Sequence, residues 1–148
     1  MENKILPEAG TYILKIKVNI SQNIEIGKLG NFTFKRGYYF YVGSAHGPGG
    51  VKARVTRHLK KNKVNRWHID YLRSAGCVSD ILVTYEKRKK ECIWASNLNL
   101  SPLLSTPVIG FGSSDCNCPS HLFFCKKNNN IKILEEVLQK SVDIIKIK

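Results

Sequence analysis

Gly37-Tyr38-Tyr39-Phe40-Tyr41-Val42 runs into Gly43-Ser44-Ala45-His46-Gly47-Pro48-Gly49-Gly50 and then into Val51-Lys52-Ala53-Arg54-Val55-Thr56-Arg57-His58-Leu59. Aromatic and β-branched side chains suit a pleated, half-buried surface, so residues 37–42 predict a strand. The glycines and proline that follow cannot continue it and predict a loop over 43–50. Val51, Val55 and Leu59 then recur at every fourth position, the spacing of an amphipathic helix over 51–62. Arg54 and His58 are also four apart, which puts both on one helical face with Cβ atoms roughly 5–6 Å apart. Each precedes a member of the apolar stripe by one residue, so the pair is expected to flank the core.

Outward from this segment, residues 11–18 alternate and read as a strand. Residues 24–34, with two glycines, read as a turn leading into a short strand. Beyond it, 67–74 reads as a short helix, 77–85 as a strand and 91–98 as a helix. Residues 102–112 suggest a loop plus a short strand, 121–125 a strand, Asn128-Asn129-Asn130 a plain turn and 131–142 a helix. This mixed order predicts an α+β fold, a small sheet with helices packed on it, as one domain over 1–148. No repeat or Pro/Ser-rich linker divides the chain. Strands adjacent in sequence tend to pair, which would bring Tyr12 and Tyr41 onto one sheet. Glu91 opens a helix, where the dipole favours a carboxylate.

The chain has 148 residues, 24 Lys+Arg against 11 Asp+Glu, and a formal net charge of +13. Such a field favours polyanions, nucleic acid first and anionic membrane second; genome composition or thermal adaptation is the bland alternative. Eight Lys/Arg fall between Lys52 and Arg73 against one acid, Asp70, and Lys87-Arg88-Lys89-Lys90 forms a second cluster. No apolar run approaches the roughly 20 residues that cross a bilayer. The start, Met1-Glu2-Asn3-Lys4, has no basic and apolar leader pattern. An intracellular protein with reduced thiols is therefore expected, since five cysteines without an export signal argue against a disulfide framework.

Gly10-Thr11-Tyr12, Tyr41-Val42-Gly43, Arg54-x-x-x-His58 and Glu91 resemble the motifs of the GIY-YIG nuclease superfamily. Gly43-Ser44-Ala45 with Gly47-x-Gly49-Gly50, Arg57-His58, Trp67-His68-Ile69-Asp70-Tyr71-Leu72 and Gly110-Phe111-Gly112-Ser113-Ser114-Asp115-Cys116-x-Cys118-x-x-His121-Leu122 are similar to one archaeal-type branch. That branch is sometimes fused to endonuclease III-like DNA glycosylases. The resemblance covers residues 10 to about 124. It departs from the pattern at Thr11 (isoleucine in the name-giving triplet), in a longer interval before Arg54, and in lacking a matching late Asn near the metal. Asn97 and Asn99 lie too close to Glu91; Ser114 or Asp115 is the candidate substitute.

The resemblance implies a three-stranded antiparallel sheet flanked by helices, here with an extra C-terminal strand and helix. It also implies a phosphodiesterase site using Mg²⁺ or Mn²⁺, with Tyr12, Tyr41, Arg54, His58 and Glu91 as catalytic residues. Glu91 would hold the metal, since one carboxylate plus waters is a typical sparse Mg²⁺ shell. Arg54 would bind phosphate with its permanent fork of donors. Tyr12 would activate water directly or through His58, and Tyr41 would position phosphate or water. A free phenol has a pKa near ~10, so Tyr12 acting as a base needs Arg54 or a metal beside it. Gly43, Ser44, Arg57, Lys61, His68, Lys90 and Ser114 are the candidate substrate-binding residues. The expected activity is metal-dependent endonuclease cleavage of DNA, duplex or branched, with repair or recombination intermediates as substrates. RNA is an alternative polymer, and DNA-repair proteins are the expected partners in the cytoplasm or nucleoid.

Taken singly, Tyr12 and Tyr41 are ordinary strand aromatics, Arg54 a solvated cation and residues 87–90 a solvated turn. His46 is expected in solvent. Cys116-x-Cys118-x-x-His121 could begin a zinc site with Cys125 or His68 as fourth ligand; a reduced cluster lining the cleft is the alternative. Two other functions stay open: a nucleic-acid-binding module without hydrolysis, and a zinc-stabilised domain whose basic face docks an acidic protein.

Overall fold

Strand β1 (Gly10–Val18) lies at the centre of the sheet in the computed structural model, which describes residues 5–60, 64–127, 131–138 and 143–147. The elements that follow are β2 (Gln22–Ile26), β3 (Gly30–Phe34), β4 (Gly37–Ala45), α1 (Gly50–Leu59), α2 (His68–Arg73) and β5 (Cys77–Thr84). α3 (Glu91–Leu100), β6 (Leu122–Cys125), α4 (Ile131–Leu138) and β7 (Asp143–Lys146) complete the set. β1, β4 and β5 form the middle of a five-stranded sheet ordered β6-β4-β1-β5-β7. Every pair in it is antiparallel. The α+β expectation describes this architecture: the three expected strands are joined by the expected later strand, β6, at one edge and by β7 at the other.

Several local expectations need correction. Residues 43–45 are not loop: β4 continues to Ala45, because Gly10 to Tyr12 of β1 pair with Ala45 to Gly43. Residues 24–34 hold two strands, β2 and β3, joined at Gly27–Leu29 by a 3₁₀ turn. Residues 102–112 contain no strand, only the start of a chain segment that makes one isolated bridge, Ser105 to Phe124. β7 matches none of the expected strands, because its four residues carry too little pattern to announce one. Lys61, Asn128 to Asn130 and the predicted helical residues 139–142 lie outside the described residues.

Both sheet faces are covered. Tyr12, Leu14, Ile16 and Val18 face one core with Tyr39, Tyr41, Val51, Val55, Ile69 and Leu72. Ile13 faces a second core with Phe40, Val42, Leu82, Trp94, Leu98 and Leu134. Burying one such large apolar side chain contributes roughly 1.5–3 kcal/mol, so the two cores together oppose the ordering entropy of the chain. No helix among the described residues is long and apolar enough to cross a membrane.

On α1 the buried positions are Gly50, Val51, Val55 and His58, while Leu59 is only half-buried. The steps of four and three residues from Val51 keep to one helical face, so His58 is a member of the core stripe and not a flanking residue. Helix α2 is held beside α1 by Asp70. Its carboxylate accepts both Arg57 Nη groups at 3.0 Å, and the backbone N–H of Arg66 at 2.8 Å and of Trp67 at 2.9 Å. Burial alone would raise the Asp70 pKa, but these four donors, Arg57 foremost, hold it below the ordinary value. A depressed folded-state pKa adds stability above the unfolded carboxylate value, and that stability is lost as pH falls through the folded value. Asp70→Asn is expected to lower stability at neutral pH by about 3 kcal/mol, the usual cost of breaking a buried pair. It should also flatten the fall in stability below about pH 4, where an ordinary carboxyl takes up its proton. Urea midpoints measured across that range check both, and an acid limb matching wild type counts against the assignment.

Candidate functional site

The start of β1, the end of β4 and the N-termini of α2 and α3 meet at one end of the sheet. The open cleft there is lined by Tyr12, Tyr41, Gly43, Ser44, Arg54, Arg66, Trp67, His68, Glu91, Gly112, Ser114 and Asp115. In the β1–β4 register Tyr12 faces Gly43 and Tyr41 faces Leu14. The two phenols are therefore diagonal neighbours on one face. A Cβ at residue 43 would lie 2.5 Å from Tyr12 Cζ and from its oxygen, so only glycine leaves the ring its place.

Behind the cleft, the Tyr12 hydroxyl and His58 Nε2 are 2.6 Å apart. Burial raises the Tyr12 pKa well above its ordinary value; Tyr41 and Glu91 add to this and Arg54 opposes it. Tyr41 is raised too, first by burial and then by Glu91, against Arg54. Both phenols are thus neutral hydroxyls at neutral pH. Arg54 donates from Nη1 to the Ser44 carbonyl at 3.2 Å, and its guanidinium lies 4.6 Å from the centre of the Trp67 ring. That indole stacking aims a permanent cation along the cleft wall.

Glu91 is the first residue of α3, whose N-cap backbone N–H, that of Lys90, donates to Thr11 Oγ1 at 3.2 Å. One Glu91 oxygen accepts from Ser44 Oγ at 3.1 Å, and the other lies 3.1 Å from His121 Nδ1. The carboxylate keeps 27% of its surface exposed on the cleft. Burial would lower the His121 pKa, but Glu91 and then Cys116 reverse the sign and raise it. His68 Nδ1 accepts the Gly112 backbone N–H at 2.8 Å, and burial lowers its pKa. That bond fixes the wall formed by residues 112–115.

The cleft therefore brings together Tyr12, Tyr41, Gly43, Ser44, Arg54, His68, Glu91 and Ser114, with His58 one hydrogen bond behind Tyr12. Two other sequence candidates are engaged elsewhere. Arg57 does not line the cleft: it grips Asp70 and lies 4.1 Å from the Trp67 ring centre. Lys90 reaches back along the chain to Glu86, 3.8 Å away. His46 is half-buried, with Nε2 shut off from solvent and without a hydrogen bond among the described residues, instead of standing in water. Arg66 and Trp67 line the cleft but were not candidates; their adjacency to His68 in the sequence was the available signal.

Cys92, Cys116, Cys118 and His121 place their ligand atoms all within 4.8 Å of one another, a set able to hold a metal ion. The fourth member is Cys92, not Cys125 or His68. Cys125 pairs with Tyr38 at the far end of β6, and His68 is occupied by Gly112. Among the thiols, burial and its cysteine neighbours push Cys118 up to about 12. Cys116 is lowered despite its burial, by hydrogen bonds from Cys118 and by His121.

Fold and cleft together define a mixed α+β domain with a polar cleft at a sheet end and a cysteine–histidine cluster beside it. A family model described as "Domain of unknown function DUF123" matches residues 11–143, and the chain belongs to that family. No curated protein and no solved structure matches it.

The glycine contact is testable without a substrate. Gly43→Ala is expected to cost about 1–3 kcal/mol, as overpacking does. In a Tyr12→Leu background the cost should shrink, because the clashing ring is gone. Equal costs in both backgrounds, read from urea unfolding, would show that Tyr12 does not set the constraint.

Proposed function

We propose that this chain is a metal-dependent endonuclease of the GIY-YIG type, hydrolysing phosphodiester bonds in DNA. One observation carries the reading: Tyr12, Tyr41, Arg54 and Glu91 line the same cleft, with His58 at 2.6 Å behind Tyr12. The net charge of +13 supports a polyanionic substrate.

Glu91 suits magnesium or manganese, being a hard oxygen donor that keeps exposed surface on the cleft. When bound, such an ion supplies charge stabilisation at the phosphate oxygens. The chain's own residues do the rest. Arg54 donates to a nonbridging oxygen, where negative charge grows during in-line attack. Tyr41, a neutral phenol, donates a hydrogen bond to the phosphate. Tyr12 cannot act as a standing phenolate, because its burial opposes ionisation. It works as a relay: its oxygen takes a proton from the attacking water as its own proton passes to His58 Nε2. The new P–O bond forms as the bond to the leaving oxygen breaks, and that oxygen takes up a proton from solvent. Ser44, His68 and Ser114 hold the strand in the cleft. Branched repair or recombination intermediates are the preferred substrates in this reading.

The test is a panel of duplex, single-stranded, flapped and four-way DNA, with RNA alongside, incubated with Mg²⁺ or Mn²⁺ and then with EDTA. Cleavage should be lost in EDTA. Glu91→Gln and Arg54→Ala should each lower it by about 10²–10³-fold, and Tyr12→Phe by about 10²–10⁴-fold. Substrate affinity should fall as salt rises. Traces of cleavage equal in wild type and Glu91→Gln mark a contaminant and overturn the reading; salt-sensitive binding without cleavage then leaves a binding module.

A further inference from the structure

Residues 101–121, between α3 and β6, contain no helix or strand, yet they supply Gly112, Ser114 and Asp115 to the cleft wall. A segment this long without regular structure needs something to hold it. Three thiols and an imidazole converge at its end. Cys92 comes from the first turn of α3, and Cys116, Cys118 and His121 come from the segment itself. Cys92, Cys116 and Cys118 are free thiols. Cys116 Sγ and His121 Nε2 are 3.4 Å apart, and no ligand atom lies more than 4.8 Å from another. Neighbouring donors around a tetrahedral zinc stand about 3.5–3.8 Å apart, given Zn–S near 2.3 Å and Zn–N near 2.0 Å. A contraction of about an ångström therefore closes the shell, and a Cys₃His set is a standard closed zinc site.

The two nitrogens of His121 divide the work. Nε2 faces the thiols, while Nδ1 lies 3.1 Å from the Glu91 carboxylate. A histidine that gives one nitrogen to zinc commonly donates its other N–H to a carboxylate, which fixes tautomer and ring orientation. Here that carboxylate is Glu91, adjacent in sequence to Cys92. We propose that Cys92, Cys116, Cys118 and His121 bind one structural zinc ion, and that His121 uses the site to hold Glu91 in position at the cleft. The thiols lose their protons on binding and His121 stays neutral. The zinc site stands on the cluster alone; the link to Glu91 rests on the nuclease reading.

Chain purified in reductant without chelator should carry about one zinc per molecule by elemental analysis, the stoichiometry of a closed site. Cys118→Ser should lose most of it. If that variant does not fold, chelator-stripped wild type titrated with Co²⁺ should show the thiolate charge-transfer and intense visible bands of a tetrahedral sulfur-rich site. Folded wild type that carries no zinc, takes up none and shows no such bands overturns the site, as does a different metal. His121→Cys keeps four ligands but removes the 3.1 Å contact between Nδ1 and Glu91. It should retain zinc while Mn²⁺ binding at the cleft, read by electron paramagnetic resonance, weakens about tenfold or more, as loss of an outer-shell partner does. Retained zinc with unchanged Mn²⁺ affinity overturns the link to Glu91. Mn²⁺ binding absent from wild type, or equal in Glu91→Gln, overturns both the link and the metal assignment of the nuclease reading, and leaves the zinc result intact.

Discussion

Tyr12 faces Gly43 across the β1–β4 pairing, and its phenol fills the space where a side chain of residue 43 would stand. The cleft depends on this contact. It sets the ring against His58 on α1, which must then be buried to meet it. It also commits β4 to run past Val42, so that Ser44 reaches Glu91 from the next position along the strand. A one-residue slip would turn Tyr12 to the opposite face, into the core occupied by Trp94 and Phe40.

The cleft is a polar hollow held by apolar and aromatic supports. Trp67 carries the guanidinium groups of both Arg54 and Arg57, and only the first of these lines the cleft. Asp70 takes the second, joining α1 to α2. The same arrangement keeps two arginines three apart on one helix in different employment, one structural and one facing the cleft. On the far wall, His68 and His121 each hold a piece of the irregular segment, one through the Gly112 backbone and the other through Glu91 and Cys116.

Much of this was legible from short-range pattern. The aromatic run at 37–42, the period-four stripe from Val51 and the alternation at 11–18 each announced the right element, because packing against one core imposes a local period. Tyr12 and Tyr41 do share one face, but through the pairing of β1 with β4 across the intervening β2–β3 hairpin and not through pairing of consecutive strands. The glycine-rich stretch after Val42 misled: glycine weakens a strand by local propensity, but here the sheet needs a residue without a side chain at 43 and pairing continues through it. The edge strand β7 stayed hidden because four residues hold too little pattern.

From the sequence by itself came most of the elements and the α+β class, since these follow from periodicity, while the set of side chains expected to meet at one end of a sheet came from the resemblance of short motifs. Tertiary structure alone decided which of two arginines, three apart on α1 and both stacked on Trp67, lines the cleft and which grips Asp70. It also decided that Cys92 completes the cluster with residues more than twenty positions away, and that His121 touches the acid beside Cys92. The reason is physical. Helix and strand periods are local properties of the chain, whereas convergence of side chains from α3 and residues 101–121 depends on how both pack against the sheet, and no spacing in the sequence encodes that distance.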